Sequence, residues 1–147
     1  MQTTWVKDYE ISIQEAPDYH WYSYDSKNYD KVFHLTSAED FTRTILLTIK
    51  RAHQEKKVVL VVPYYTIVDH CALPAGNRLF LMLNDLLCLF NLESLDIDKQ
   101  QKLDTIGTMF ASYPYKQDFI LYGELDIFRV TSNLSIQWQF SGKDIFV

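Results

Sequence analysis

The chain has 147 residues, of which 48% are apolar, and it carries a formal net charge of −5. This length and apolar content exclude a disordered chain and predict a single domain over residues 1–147 with a sizeable core. No apolar run approaches the ~18 residues that a membrane-spanning helix needs, and the N-terminus lacks the features of a signal peptide. We therefore predict a cytoplasmic protein that does not contact a membrane.

The negative charge is concentrated at the start of the chain. Residues 1–40 contain eight acidic residues and three lysines, whereas residues 41–147 contain eleven residues of each sign. Nucleic-acid binding needs a basic surface, so the charge predicts no nucleic-acid partner. An acidic segment instead permits a basic protein partner.

The first part of the chain, residues 1–63, predicts an α/β arrangement. "VKDYEISIQEA" alternates as a strand does, and residues 37–55 predict the main helix, with Ser37 as N-cap and Glu39 and Asp40 in the first turn. "VVLVVPYY" then predicts a buried strand that Pro63 ends. The helix prediction depends on apolar residues at helical spacing, namely Phe41, Ile45, Leu46 and Ile49.

The apolar stretch "NRLFLMLNDLLCLFNLES" fits either one buried helix or a hairpin that turns at Asn84-Asp85. An internal repeat favours the hairpin. Residues 80–101 align without a gap on residues 119–140, so that Phe80 matches Phe119. The second copy is clearly strand-like, with a Gly turn and an alternating "LSIQWQF". We therefore predict antiparallel strands over residues 79–83 and 86–91.

The stretch "DFILYGELDIFRVTSNLSIQWQFSGKDIFV" resembles one blade of the quinoprotein- or WD-type β-propeller repeats. The resemblance covers residues 75–147 and has strands at 119–122, 125–130 and 136–140, a turn at Gly123, and Trp138 before Gly142. It implies two blade-like units within 64–147, each of about 39 residues, which is near the usual length of a propeller repeat. Two blades cannot close a ring, so no cofactor-binding propeller follows. The predicted fold is α+β: an N-terminal strand and the main helix pack on an antiparallel sheet that continues into two β-meanders.

The ending "WQFSGKDIF" is also similar to the ends of small bacterial immunity-type proteins, which block a toxin. This resemblance implies a bacterial toxin inhibitor.

The reactive side chains show no pattern typical of an enzyme. Cys71 and Cys88 lack a metal or redox spacing, and we predict that both thiols are unbridged and not catalytic. In "VDHCALP", His70 and Cys71 are adjacent, so on a strand they would point to opposite faces. Glu124 and Asp126 fit a solvated hairpin face better than a pair of catalytic carboxylates. The sequence thus predicts no enzyme, no metal and no cofactor.

The segment "APDYHWYSYDSKNYDKVFH" interleaves aromatic residues with acids. Tyr and Trp dominate binding hot spots, and acids steer a basic partner. The same pattern would also arise if alternate aromatics packed on the core. We predict partner-binding residues here: Asp18, Tyr19, Trp21, Tyr22, Tyr24, Asp25, Tyr29 and Asp30.

The predicted function is a small binding protein, in its sharpest form an immunity protein that occludes a basic toxin domain such as a nuclease. One alternative is an enzyme or small-ligand binder with a site near His70 and Cys71, between helix and sheet. Another is a structural component of a larger assembly. The sequence leaves the oligomeric state open.

Overall fold

The structure, a computed structural model, describes residues 2–16, 28–36 and 41–142, and the described residues form three β-sheets. The N-terminal sheet has the order β1-β2-β4-β5-β3, the middle sheet β6-β7-β8-β9, and the C-terminal sheet β10-β11-β12-β13. All neighbouring strands are antiparallel except β3 and β5, which are parallel. The strands are β1 (Gln2–Val6), β2 (Tyr9–Glu15), β3 (Lys31–His34), β4 (Thr42–Arg51), β5 (Gln54–Pro63), β6 (Ala72–Ala75), β7 (Arg78–Leu83), β8 (Leu86–Asn91), β9 (Ile97–Lys102), β10 (Met109–Tyr115), β11 (Asp118–Gly123), β12 (Asp126–Thr131) and β13 (Ile136–Ser141).

The predicted main helix over 37–55, and with it the α+β class, is wrong. None of the described residues lies in an α-helix, and β4 and β5 form a long hairpin in its place. Burial along β4 alternates, with Ile45, Leu47 and Ile49 buried, which is the period of a strand. The β-branched Thr and Ile residues of β4 favour a strand, and pairing along the whole of β5 satisfies its backbone. Residues 37–40, with the predicted N-cap Ser37, lie outside the described residues.

The predicted hairpin in the middle sheet is confirmed. β7 and β8 pair directly across a two-residue turn, with Leu83 opposite Leu86. Asn84 takes the left-handed conformation that this turn requires, with φ of 58°. Both thiols are unbridged, as predicted, and both are buried.

The three sheets are stacked as layers, with the middle sheet between the other two. One face of the middle sheet packs Leu79, Leu81 and Phe90 against Ile11, Leu47 and other residues of the N-terminal sheet. Its opposite face packs on the C-terminal sheet through a second apolar group, which includes Phe80, Met82, Leu87, Leu89, Phe119, Leu121, Phe128 and Val130. The middle sheet is therefore apolar on both faces at its centre, which is why its central strands β7 and β8 are nearly continuous apolar runs in the sequence.

The middle and C-terminal sheets repeat the same meander, but the ungapped alignment of the sequence matches only the last strand correctly. The strands β11 and β12, which begin at Asp118 and Asp126, correspond to β7 and β8 in a register shifted by one residue from that alignment. The turn before β9 is one residue longer than the turn before β13, and this difference restores the aligned register in the last strand. Phe80 and Phe119, aligned in the sequence, therefore lie on facing surfaces of two sheets, with ring centroids 4.5 Å apart.

Candidate functional site

Large apolar side chains are exposed at one corner of the molecule, where β5 ends. Ile106 is 95% and Phe41 90% exposed, and Tyr64 and Tyr65 are exposed beside them. We call these four residues the corner patch. Because exposed apolar groups of this size are unfavourable in water, a contiguous set of them is a candidate interaction surface.

The backbone explains why these side chains point outwards. Pro63 ends β5, and one last hydrogen bond from Tyr64 N to the carbonyl of Phe41 (3.0 Å) closes the ladder between β4 and β5. Arg43 then fixes the turn that follows, because its Nη1 donates to the carbonyl of Thr66 (2.6 Å) and its Nη2 lies 3.2 Å from Glu15 Oε1. The two tyrosines are therefore held on a short, anchored turn instead of a strand face.

Two shallow grooves meet at Tyr65. The first, of about 360 Å³, is lined among the described residues by Thr36, Phe41, Pro63, Tyr64 and Tyr65. The second, of about 330 Å³, lies between Tyr65, the hairpin turn at Asn84 and Asp85, and residues 105–108. The first groove is mainly apolar and the second mainly polar.

The acidic aromatic segment, residues 18–30, follows Ala16 in the sequence, and Ala16 lies at the end of β4 that is next to the corner patch. The chain leaves the described part after Ala16, whose N–H donates to the carbonyl of Thr44 (2.9 Å), near the start of β4. Phe41 directly precedes this strand, and the acidic pair Glu39-Asp40 directly precedes Phe41 in the sequence. Ala16 and Phe41, which both border residues outside the described part, thus lie at the same end of β4.

Of the predicted partner-binding residues, only the last two lie in the described part of the chain. Tyr29 is half-buried and packs against Val59 and Val61 of β5. Asp30 is exposed, but it secures the start of β3, since its Oδ2 accepts from Lys57 N (2.8 Å) and its N–H donates to the Lys57 carbonyl (2.8 Å). The others, Asp18, Tyr19, Trp21, Tyr22, Tyr24 and Asp25, lie outside the described residues.

His70 and Cys71 point in different directions. Cys71 is fully buried in the core between the N-terminal and middle sheets, and burial raises the pKa of its thiol to about 12. His70 is exposed, with its ring 5.9 Å from the ring of Tyr113. Because none of the described residues forms an α-helix, they form no pocket between helix and sheet, which this alternative required. A thiol that stays protonated is not a nucleophile.

The carboxylates Glu124 and Asp126 are not a solvated pair. Asp126 is buried and accepts hydrogen bonds from the side chains of Thr105, Ser141 and Gln139, the last at 3.1 Å. Burial raises the pKa of Asp126, but the hydrogen bonds from Ser141, Thr105 and Gln139 outweigh burial, and the net pKa is lowered. Glu124 accepts only a long bond from Thr108 N, at 3.4 Å. The two carboxylates therefore connect β12 and the turn before it to β13 and to the loop between β9 and β10. These contacts stabilise the fold.

Within the described ranges, no group of three or more His, Cys, Asp and Glu side chains could hold a metal ion. The same residues contain no helix long and apolar enough to cross a membrane.

Comparison with known proteins adds no family to this description. No protein-family model matches the chain, and no curated protein is significantly similar to it in sequence. The class that the structure defines is a β-protein of three stacked sheets with an exposed aromatic corner.

The sequence did not indicate the corner patch. It predicts Phe41 on the buried face of the helix, and Tyr64 and Tyr65 at the end of a buried strand. Pro63 was the available signal, because a proline ends strand pairing and aromatics after it are free to face solvent.

Proposed function

We propose that this chain is a cytoplasmic protein-binding module that captures a basic partner through the corner patch and the acidic aromatic segment. The observation that carries the proposal is the exposure of Phe41 and Ile106 on either side of Tyr65. Side chains of this kind gain most when a partner removes them from water.

The two kinds of residue have separate roles in this proposal. Phe41 and Tyr65 are the anchors that a partner covers, so they determine how long the complex lasts. Asp18 and Asp25 accelerate the encounter with a basic partner, and salt screens their effect. Asp30 is a poor test of steering, because its carboxylate also caps β3.

The narrower form of the proposal is an immunity protein that occludes a basic toxin domain, such as a nuclease. It is supported by the confinement of the net negative charge to residues 1–40. Co-expression with a basic toxin domain that binds this chain tests it: the wild type should protect the cells and Phe41→Lys should not. Equal protection by both would reject the corner patch as the inhibitory surface.

Binding kinetics with the captured partner test the general proposal. Phe41→Ala should speed dissociation about 30-fold, the equivalent of about 2 kcal/mol for an interface anchor. Asp25→Asn should slow association at low salt only. The matched control is Trp5→Ala, which removes an exposed aromatic side chain from a distant face of the N-terminal sheet. If Phe41→Ala and Trp5→Ala fold and leave both rates unchanged, the corner patch is not the interface.

A further inference from the structure

We propose that a second copy of this chain docks on the outer face of the C-terminal sheet, so that two such faces meet in a twofold dimer. This surface is separate from the corner patch. We define the outer face by the side chains of β10 to β13 that point away from the middle sheet, namely Tyr113, Tyr115, Ile120, Tyr122, Ile127, Arg129, Trp138 and Phe140.

The middle sheet shows what such a face does. The face of the middle sheet that is turned away from the N-terminal sheet buries Phe80, Met82 and Leu87 completely against the C-terminal sheet. The residues at the corresponding positions of β11 and β12 are Ile120, Tyr122 and Ile127, and they lie on the outer face of the C-terminal sheet. The same apolar pattern thus recurs one layer further on, where these three side chains are half-buried and no other described sheet packs on them.

Exposure and charge describe what the outer face can accept. Tyr113 is 48% and Trp138 45% exposed. The cation at the centre of the face is already compensated, because Arg129 Nε lies 2.9 Å from Asp118 Oδ2 and the guanidinium stacks on Tyr115, 4.9 Å from its ring centroid. The face is therefore apolar without excess charge, so two copies can meet without like-charge repulsion.

The exposed face of the N-terminal sheet, at the opposite side of the three layers, is charged. This disfavours head-to-tail packing, in which that face would contact the outer face of another copy. The outer face of the N-terminal sheet has a shallow polar groove whose lining includes Glu10, Lys50, Glu55 and Lys57. Packing an apolar face on these charges would remove them from water and give them only apolar groups to face, at a high cost. Head-to-tail contacts would also produce an open chain of molecules. Face-to-face pairing closes the assembly at two copies.

Sedimentation velocity over a concentration series tests the dimer. The wild type should pass from monomer to dimer as its concentration rises, and Trp138→Lys and Tyr113→Lys should each weaken association at least tenfold. Both side chains are exposed, and circular dichroism confirms that the variants fold. Trp5→Lys is the control, since it places the same charge on the outer face of the N-terminal sheet.

Each possible result supports or overturns the proposal. A wild type that stays monomeric throughout the series overturns the proposal. Capture of a different protein through Trp138 by a monomeric wild type also overturns it, because the occupant of the outer face is then not a second copy. If Trp138→Lys and Tyr113→Lys both still form dimers as the wild type does, the dimer does not use the outer face. A Trp5→Lys variant that also loses association overturns the twofold arrangement in favour of head-to-tail packing. Partner binding at the corner patch should be unchanged in Trp138→Lys, so this proposal and the proposed function fail independently.

Discussion

At the scale of single residues, Asp126 shows how a buried charge is accommodated in this fold. Its carboxylate accepts hydrogen bonds from three side chains. Thr105 lies in the loop between β9 and β10, and Gln139 and Ser141 lie on β13. These bonds favour the ionised form and hold its pKa below the usual range, although burial opposes them. Folding therefore favours the deprotonated carboxylate.

This lowered pKa predicts a pH-dependent stability. The contribution is fully present above the unfolded pKa, about 3.9 for Asp, and it is lost as the pH falls through the lower folded pKa. At neutral pH, Asp126→Asn should lower the free energy of unfolding by about 1–3 kcal/mol. The difference from the wild type should shrink under acid, which urea denaturation at several pH values measures.

Asp104→Asn is the matched control, because Asp104 is an exposed carboxylate next to the same loop. It should change stability little at any pH. A difference between wild type and Asp126→Asn that stays constant from neutral to acid pH would contradict the role of ionisation.

The two thiols give a second prediction at this scale. Burial raises the pKa of Cys71 and of Cys88 to about 12, so near neutral pH almost no thiolate forms. In denaturant without reductant, a thiol reagent should count two free thiols, and in the native protein both should react only as fast as the protein opens. A count of zero in denaturant, or rapid labelling of the native protein, would contradict this prediction.

At the scale of elements, Asn84 connects the hairpin of the middle sheet to the next sheet. Its backbone makes the turn, and its buried Oδ1 accepts from Met109 N at 2.9 Å, at the first residue of β10. A glycine would suit the turn as well. The asparagine side chain adds the bond that fixes where the C-terminal sheet begins.

Two substitutions separate these roles. Asn84→Gly keeps the turn and leaves the buried Met109 N–H without an acceptor, so it should cost about 1–3 kcal/mol of stability. Asn84→Ala should cost about 1 kcal/mol more, because φ of 58° strains a residue with a Cβ. Thermal and urea unfolding measure both.

Lys116→Gly is the matched control for the turn. Lys116 has φ of 55° in the exposed turn between β10 and β11, where the side chain forms no buried backbone bond. Its substitution should change stability by less than about 0.5 kcal/mol. If Asn84→Gly is equally neutral, the bond to Met109 does not stabilise the fold.

At the scale of the whole molecule, the middle sheet joins two apolar cores. It contributes one face to each, so removing either outer sheet would expose a full apolar face of the middle sheet to water. We therefore predict that the three sheets unfold together, as the single domain predicted from the sequence requires.

Single-tryptophan variants test this cooperativity. With Trp21 replaced by Phe, a variant that keeps only Trp5 reports on the N-terminal sheet, and one that keeps only Trp138 reports on the C-terminal sheet. Circular dichroism follows the loss of strand structure in urea for each variant. In each variant, the fluorescence transition should coincide with the circular dichroism transition of the same protein. A C-terminal sheet that unfolds at lower urea would show two cooperative units.

The sequence by itself determined the local structure wherever one pattern excluded its alternatives. The repeat and the turn at Asn84-Asp85 predicted the central hairpin, because turn chemistry and short-range pairing are local properties. In β4 the sequence failed, since Ile45, Leu46 and Ile49 satisfy a helical spacing while Ile45, Leu47 and Ile49 satisfy a strand. Pairing with β5, a contact along the whole strand, decided between them.

Only the tertiary structure decided which faces are covered. A one-residue difference in a turn moved Phe80 and Phe119 from equivalent positions to opposite sides of one core, because side chains alternate between the faces of a strand. The exposure of Phe41 and the burial of Asp126 likewise depend on residues distant in sequence. Apolar residues look the same in a sequence whether a neighbouring layer covers them or water does, and only the stacking of the sheets separates the core from the corner patch and the outer face.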